Sequence, residues 1–85
     1  MKIKLNNQEY SYLNKILNDE ISEKITILNA DERFTIIEIS RDIADDIREF
    51  ISDQLQINGF DNNYELTQEG KIQEKLIDLF YIDQR

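Results

Sequence analysis

The segment from Ser40 to Asn58 constrains the fold more than any other part of the chain. At about 100° per residue its side chains sort into two faces, as in an amphipathic helix. The apolar face consists of Ile43, Ala44, Ile47, Phe50, Ile51 and Leu55. The opposite face, here called the acidic stripe, consists of Asp42, Asp45, Asp46, Glu49 and Asp53. Only Arg41 and Arg48 offset these acids, so the segment predicts a helix that anchors a core and presents an acidic surface.

Length and composition predict one globular domain, 1–85. Hydrophobic residues make up 40% of the chain and charged residues 33%, which is typical of a folded protein with a modest core. The longest apolar run is far shorter than a membrane span, and the stretch before the first asparagines is too short for a signal peptide. We therefore expect a cytoplasmic protein.

The net charge of −8 limits the partners that this chain can have. Nucleic-acid binding depends largely on Lys and Arg side chains that neutralise phosphates, and anionic membranes attract basic surfaces in the same way. An acidic surface is repelled by both. We therefore expect no direct nucleic-acid partner and no membrane partner, and we expect a protein partner that is basic.

The N-terminal residues predict a strand followed by a helix. Met1–Leu5 alternates apolar and basic residues, which indicates a half-buried strand. Asn6 and Glu9 have the spacing of a capping box, and apolar residues at helical spacing predict a helix over Asn7–Ile21. The alternative is a hairpin that turns at the two asparagines.

The middle of the chain predicts a β-hairpin. Lys24–Leu28 and Phe34–Ile39 are rich in β-branched and aromatic residues, and a loop of five residues separates them. In the second strand Phe34 and Ile36 share one face, and the other two isoleucines share the opposite one. If helices cover only one face, Phe34 and Ile36 form an exposed patch suited to a homodimer or a partner.

Cap residues mark the ends of two further helices. Ser40 is the expected N-cap of the central helix, and Gly59 is expected to end that helix in a left-handed conformation, with Phe60 making the accompanying hydrophobic contact. Tyr64–Leu66 is predicted to be extended. Thr67 is the expected N-cap of the last helix. The apolar stripe of that helix is Ile72, Leu76, Leu79 and Phe80.

These elements predict an α+β fold in the order β-α-β-β-α-α. The sheet has three strands, antiparallel or mixed, and three helices accompany it. The tail Asp83–Arg85 is expected to fray.

The segment Tyr64-x-Leu66-Thr67-x-x-Gly70-Lys71 resembles the part of a winged-helix domain where the wing leads into the closing helix. The resemblance implies that Leu66 is a core residue, that Thr67 is a cap and that Gly70 permits a close approach of helices. It also implies a transcriptional regulator. The chain departs from that pattern in its short wing and in its acidic preceding helix.

The longer pattern Gly-Phe-Asp-x-x-Tyr-x-Leu-Thr-x-Glu-Gly-Lys, from Gly59 to Lys71, resembles small bacterial and phage-type proteins. This second resemblance implies no function. Gly70 lies inside the pattern, and a side chain at that position is expected to obstruct packing at the start of the last helix.

No cofactor or metal site is predicted. Asp61, Asn63 and Glu65 alternate like the start of a calcium loop, but Leu66 and Ile72 occupy the positions that require glycine and a bidentate glutamate. A turn is the better interpretation. The chain has no cysteine and no histidine, so the commonest metal ligands are missing as well.

Catalysis is not expected either. The carboxylates on a polar helix face are expected to be solvated, and nothing there separates the pKa of one from that of its neighbour. No nucleophile with a plausible base stands out, because each serine or threonine of note occupies a cap or strand position. We therefore predict that the protein is not an enzyme.

The acidic stripe is the candidate partner-binding site. Its ordinary interpretation is a solvated helix face. Its functional interpretation is an inhibitor or DNA mimic that acts on a basic or nucleic-acid-binding protein, because carboxylates one helical turn apart repeat at a distance similar to that between phosphates. The alternatives are a winged-helix-like regulator and a structural homodimer that uses Phe34 and Ile36.

Overall fold

A computed structural model describes residues 1–81, and their α+β architecture confirms the predicted fold class. The elements are β1 (Lys2–Asn6), α1 (Asn7–Ile16), α2 (Asp19–Ser22), β2 (Thr26–Ala30), β3 (Phe34–Glu38), α3 (Arg41–Asn58) and α4 (Gln68–Phe80). The chain forms two compact units that divide within α3, between Ile43 and Ala44. The interpretation as a single domain stays a prediction, and the predicted fraying of the tail lies outside the described residues.

The first unit is built on an antiparallel sheet in which β3 is the central strand, in the order β1-β3-β2. Ile3 pairs with Ile37 and Leu5 pairs with Thr35, so these four side chains share one face, and all four are buried. Helix α1 contacts β1 and β3. The core of this unit therefore lies on one side of the sheet. Its other buried apolar side chains are Tyr12, Leu13, Leu17, Ile39 and Ile43.

Helix α1 begins with the predicted capping box. The Asn6 side chain accepts a hydrogen bond from the Glu9 N–H at 2.8 Å, and the Glu9 carboxylate accepts one from the Asn6 N–H at 2.8 Å. Two backbone N–H groups that the helix itself leaves without partners are thereby satisfied. The helix interpretation is confirmed over the alternative hairpin.

The expected helix over Asn7–Ile21 is wrong at Leu17 and Asn18, where the chain breaks between α1 and the short helix α2. Helix α1 ends at Ile16, Leu17 is extended with ψ 140°, and the side chain of Asn18 accepts a hydrogen bond from the Ile21 N–H at 2.9 Å. Asparagine offers the backbone a local hydrogen bond that competes with helix continuation. Leu17 is buried although it lies outside the helix, which explains why the apolar spacing of the sequence continues across this break.

The predicted hairpin is confirmed, with a shorter loop. Strand β2 begins two residues later than predicted and continues through Ala30, so three residues rather than five connect it to β3. The Asp31 carboxylate closes this loop by accepting hydrogen bonds from the N–H groups of Arg33 at 2.7 Å and Phe34 at 2.8 Å. Asp31 is thus the residue that fixes the turn.

The Asp31 carboxylate predicts a pH dependence of stability. The Phe34 N–H first, and then the Arg33 N–H, hold the pKa of Asp31 below its ordinary value. A lowered folded-state pKa stabilises the fold above the unfolded-state pKa, and this stabilisation is lost as the pH falls through the folded-state pKa. We expect the difference in unfolding free energy between the parent and Asp31→Asn to be constant above about pH 5 and to shrink in more acidic buffer.

Chemical denaturation at a series of pH values measures this difference. Glu32→Gln is the matched control, because it removes a neighbouring carboxylate and leaves both hydrogen bonds in place. A parent-to-variant difference that is the same at every pH would show that the charge of Asp31 contributes nothing.

The helix α3 has the predicted N-cap and faces. The Ser40 hydroxyl accepts a hydrogen bond from the Ile43 N–H at 3.3 Å. Four members of the predicted apolar face are buried, and Phe50 and Leu55 are half-buried. The four buried residues are Ile43, Ala44, Ile47 and Ile51.

The helix α4 begins at its predicted cap. The Thr67 hydroxyl accepts a hydrogen bond from the Gly70 N–H at 2.9 Å. Leu76 and Phe80 of the predicted stripe are fully buried, and Ile72 and Leu79 are half-buried. The last helix therefore has the apolar face that the sequence predicts.

The expected left-handed conformation of Gly59 is wrong. Neither glycine has a positive φ, and the Gly59 N–H still donates to the Leu55 carbonyl at 2.9 Å, so the backbone continues in the helical sense. Glycine is needed for space: a Cβ here would lie 2.6 Å from the Leu55 carbonyl oxygen and 2.8 Å from the Gln73 side-chain oxygen. Phe60, which the sequence places in a hydrophobic cap contact, is 45% exposed and forms a β-bridge with Leu66.

Tyr64, expected to be extended, has a left-handed backbone conformation, with φ 61°. The cause is a tight turn in which the Asp61 carboxylate accepts hydrogen bonds from the N–H groups of Asn63 and Glu65 at 2.8 and 3.1 Å. This turn brings Leu66 back to Phe60. The Tyr64 side chain is 88% exposed, so no packing interaction explains the strained conformation.

Gly70 has the structural role that the sequence predicts. The Gly59 carbonyl accepts a hydrogen bond from the Thr67 N–H at 2.9 Å, which fixes the start of α4 to the residue that follows α3. A Cβ on Gly70 would collide with this carbonyl and would lie 2.9 Å from its carbon atom. Because backbone atoms cannot rotate away, only glycine fits without displacing the turn.

We expect Gly70→Ala to destabilise the protein by roughly 1–3 kcal/mol, as overpacking does. An unstrained site would instead be stabilised by roughly 0.4–1 kcal/mol, because alanine lowers the entropy of the unfolded chain. Urea denaturation distinguishes the two signs. Gln68→Ala, at an exposed position in the same helical turn, is the control and should change stability by less than about 0.5 kcal/mol.

Candidate functional site

The acidic stripe lies on α3 as the sequence predicts. Asp42, Asp46, Glu49 and Asp53 are exposed. The apolar face of the same helix is buried, so the helix fixes these carboxylates toward solvent at intervals of about one turn. The structure therefore presents four of the five predicted partner-binding side chains to any molecule that approaches this face.

Asp45, the fifth member of the stripe, differs from the others. Its carboxylate lies 3.4 Å from the Arg48 guanidinium, and its side chain is 47% exposed. The Arg48 guanidinium also lies 5.3 Å from the centroid of the Tyr81 ring. Arg48 is therefore held beside Asp45, and the charge of Asp45 is partly neutralised. Within residues 1–81 the other four members of the stripe form no ion pair.

The charge of the chain is distributed unevenly between its two units. Residues 44–85 contain ten acidic and four basic residues, whereas residues 1–43 contain eight acidic and six basic residues. Most of the net charge of −8 therefore belongs to the second unit, which contains most of the stripe. A charge concentrated in this way attracts a basic surface more strongly than one that is spread evenly.

The face of the sheet that carries Phe34 and Ile36 is partly open. Phe34 is 37% exposed and Ile36 is half-buried. The Lys4 amine lies 4.1 Å from the centroid of the Phe34 ring, so a cation–π contact covers part of the predicted patch. Whether this face mediates self-association stays a prediction.

The exposure of β2 is a feature that the sequence did not predict. All five residues of this strand are exposed, and Ile27 and Leu28 are 50% and 45% exposed. The hydrophobic pattern predicted a strand here without its exposure, because the pattern does not show which strand lies at the edge of the sheet. The strand carries no charge, which is ordinarily the mark of an interior strand, so its composition gave no signal of this exposure.

The segment from Asp61 to Lys71 has a structural role. The Asp61 carboxylate is used by backbone N–H groups of its own turn, and no group of three or more acidic side chains within residues 1–81 is arranged to hold a metal ion. Thr67 and Gly70 have the cap and close-approach roles that the winged-helix resemblance implies, and Leu66 is half-buried. These roles account for the pattern without a ligand.

The first unit contains an apolar cavity of about 50 Å³. Sites for small molecules and cofactors usually enclose roughly 300–1,000 Å³. This cavity is therefore too small for a cofactor. Its lining residues are Leu5, Tyr10, Leu13, Asn14, Leu17, Ser22, Ile25, Ile27 and Ile37.

Comparisons with known proteins add no relative. The chain matches no protein-family model, and no curated protein or solved structure is significantly similar to it. None of the helices within residues 1–81 is long and apolar enough to cross a membrane.

Proposed function

We propose that this protein is a non-catalytic interaction module that binds a basic protein through the acidic stripe of α3. In its most specific form, the proposal is an inhibitor or DNA mimic that occupies the nucleic-acid-binding surface of its partner. A cytoplasmic location belongs to the same proposal. The observation that carries it is the exposure of Asp42, Asp46, Glu49 and Asp53 on one helix face, with no basic partner among the described residues.

Electrostatic repulsion within the stripe supports a role in binding. Acids one turn apart, such as Asp42 and Asp46 or Glu49 and Asp53, each destabilise a helix by a few tenths of a kcal/mol. A helix face that served stability alone would alternate acidic and basic residues at these positions. The stripe therefore accepts a small cost in stability, and binding to a basic partner would offset it.

The spacing of the stripe supports the DNA-mimic form of the proposal. Side chains one turn apart on a helix repeat at roughly 5–6 Å, and phosphates along one DNA strand are separated by a similar distance of roughly 6–7 Å. A basic groove that accepts a row of phosphates can accept a row of carboxylates in their place. The side chains that would replace phosphates are those of Asp42, Asp46, Glu49 and Asp53.

The stripe can be tested by charge reversal. The variant Asp46→Lys, Glu49→Lys, Asp53→Lys changes three exposed side chains that make no core contact, so its fold and stability should match the parent. The basic partner is first isolated with the parent protein as bait, from cells in which the protein is made. We expect the affinity of the triple variant for this partner to be roughly tenfold or more lower than that of the parent. Binding by the parent should weaken steeply as salt is added.

A matched control separates the stripe from bulk charge. The variant Glu23→Lys, Glu65→Lys, Glu74→Lys changes the net charge equally at exposed positions outside the stripe. Equal loss of binding in both triple variants would mean that only net charge matters. Unchanged binding in both would reduce the stripe to a solvated helix face.

The winged-helix-like regulator is the second candidate, because Thr67 and Gly70 have the structural roles which that resemblance implies. A gel-shift experiment with random duplex DNA at low salt separates the two functions. A regulator that binds DNA directly retards the duplex. A mimic leaves the duplex unretarded, and it releases DNA from its basic partner.

A further inference from the structure

Asn58 and Gly59 form an Asn-Gly pair at the end of α3. Eight residues of the chain are asparagines, and only Asn58 is followed by glycine. Asparagine is among the residues that limit the chemical lifetime of proteins. The backbone nitrogen of a following glycine attacks an asparagine side chain most readily, because glycine has no side chain that hinders the approach. Asn58 is therefore the asparagine of this chain with the most reactive neighbour.

The reaction of such a pair needs only water. The Gly59 nitrogen loses its proton and attacks Asn58 Cγ, so that a new C–N bond forms and the side-chain nitrogen leaves as ammonia. The product is a succinimide ring. Water then opens the ring at one of its two carbonyls. One opening gives aspartate at position 58, and the other gives isoaspartate, in which the main chain passes through Cβ and Cγ. Nothing is oxidised or reduced.

The end of α3 meets the start of α4 at a junction formed by Asn58, Gly59, Thr67 and Gly70. The Thr67 hydroxyl donates a hydrogen bond to the Asn58 carbonyl at 3.2 Å, and the Thr67 N–H donates to the Gly59 carbonyl at 2.9 Å. Both carbonyls beside the reactive bond are therefore held by the residue that caps α4.

The closed junction keeps the Asn-Gly pair unreactive. Asn58 is the last residue of α3, and a succinimide ring requires a backbone conformation at this residue that is not helical. The Gly59 N–H donates to the Leu55 carbonyl at 2.9 Å, which holds the proton that must leave. The Asn58 side-chain oxygen accepts a hydrogen bond from the Gln73 amide at 2.8 Å. Cyclisation therefore requires the last turn of α3 to open.

The products disturb the junction. Each has a carboxylate at the C-terminus of α3, where the helix dipole disfavours negative charge and the last turn contains no basic residue. Isoaspartate also adds one atom to the main chain directly before Gly59. The backbones of Gly59 and Gly70 lie so close that a methyl group does not fit between them. A main chain lengthened at this point displaces the carbonyl to which the Thr67 N–H donates.

We propose that Asn58 is a self-modification site. It cyclises with Gly59 and deamidates when the junction opens, and the isoaspartyl product prevents the junction from closing again. The reaction thereby limits the lifetime of the folded second unit. The site lies outside the acidic stripe, so deamidation and partner binding are measured separately.

Peptide mass spectrometry follows the reaction in the intact protein. Trypsin cleaves after Arg48 and Lys71, so one peptide contains Asn58 together with Asn62 and Asn63 as internal controls. In warm, mildly alkaline buffer we expect Asn58 to deamidate faster than either control. In urea that unfolds the protein, the rate at Asn58 should rise roughly tenfold or more, because the protection by the junction is lost.

Gly70→Ala tests whether the junction controls the rate. Its Cβ collides with the Gly59 carbonyl, so deamidation of Asn58 in native buffer should become roughly fivefold faster or more. Ile37→Val is the matched control, because it truncates a fully buried side chain of the first unit and destabilises the protein away from the junction. Ile37→Val should leave the rate unchanged.

Urea denaturation of the separated product tests the consequence. Protein with isoaspartate at position 58 should unfold at a lower urea concentration than the parent. Asn58→Asp introduces the same charge without the additional main-chain atom, so it should lower the midpoint by less.

Four results would overturn the proposal. Asn58 deamidates no faster than Asn62 and Asn63; or its rate is the same in folded and unfolded protein; or Gly70→Ala and Ile37→Val change the rate equally; or the isoaspartyl protein is as stable as the parent. The third result would show that global unfolding, and not opening of the junction, exposes the site.

Discussion

Burial of the apolar face of α3 is the interaction that holds the acidic stripe toward solvent. Ile47 and Ile51 are fully buried, and complete burial of one such side chain contributes roughly 1.5–3 kcal/mol. Repulsion between stripe acids one turn apart costs only a few tenths of a kcal/mol per pair. The apolar face therefore outweighs the repulsion several-fold, and the helix can carry an unbalanced acidic surface without losing its place in the core.

Local chemistry made much of the fold predictable from the sequence. The predicted caps at Asn6, Ser40 and Thr67 are confirmed. Caps are predictable from sequence because each depends only on one side chain and on backbone groups two or three residues away. The errors arose where two local preferences compete or where space decides. Asn18 caps a new helix and so interrupts the predicted one, although the apolar pattern itself is continuous. At position 59 glycine is required by close packing and not by a left-handed backbone.

The candidate site was predictable only in part. Helical periodicity placed the acids of α3 on one face, and their exposure agrees with it. Periodicity could not show that Asp45 is paired with Arg48, because side-chain conformation decides that contact. Periodicity also could not show the exposure of Ile27 and Leu28. Their exposure depends on the position of β2 at the edge of the sheet, and the residue pattern of a strand does not show whether a second strand pairs with it on each side.

Carbodiimide labelling of carboxylates, with and without a bound basic partner, tests the role of the stripe most directly. The proposed function predicts that Asp46, Glu49 and Asp53 lose reactivity in the complex, while Glu23 and Glu74 react as they do in the free protein. Equal reactivity of the stripe carboxylates in the free and bound protein would contradict it, because the partner would then contact another surface.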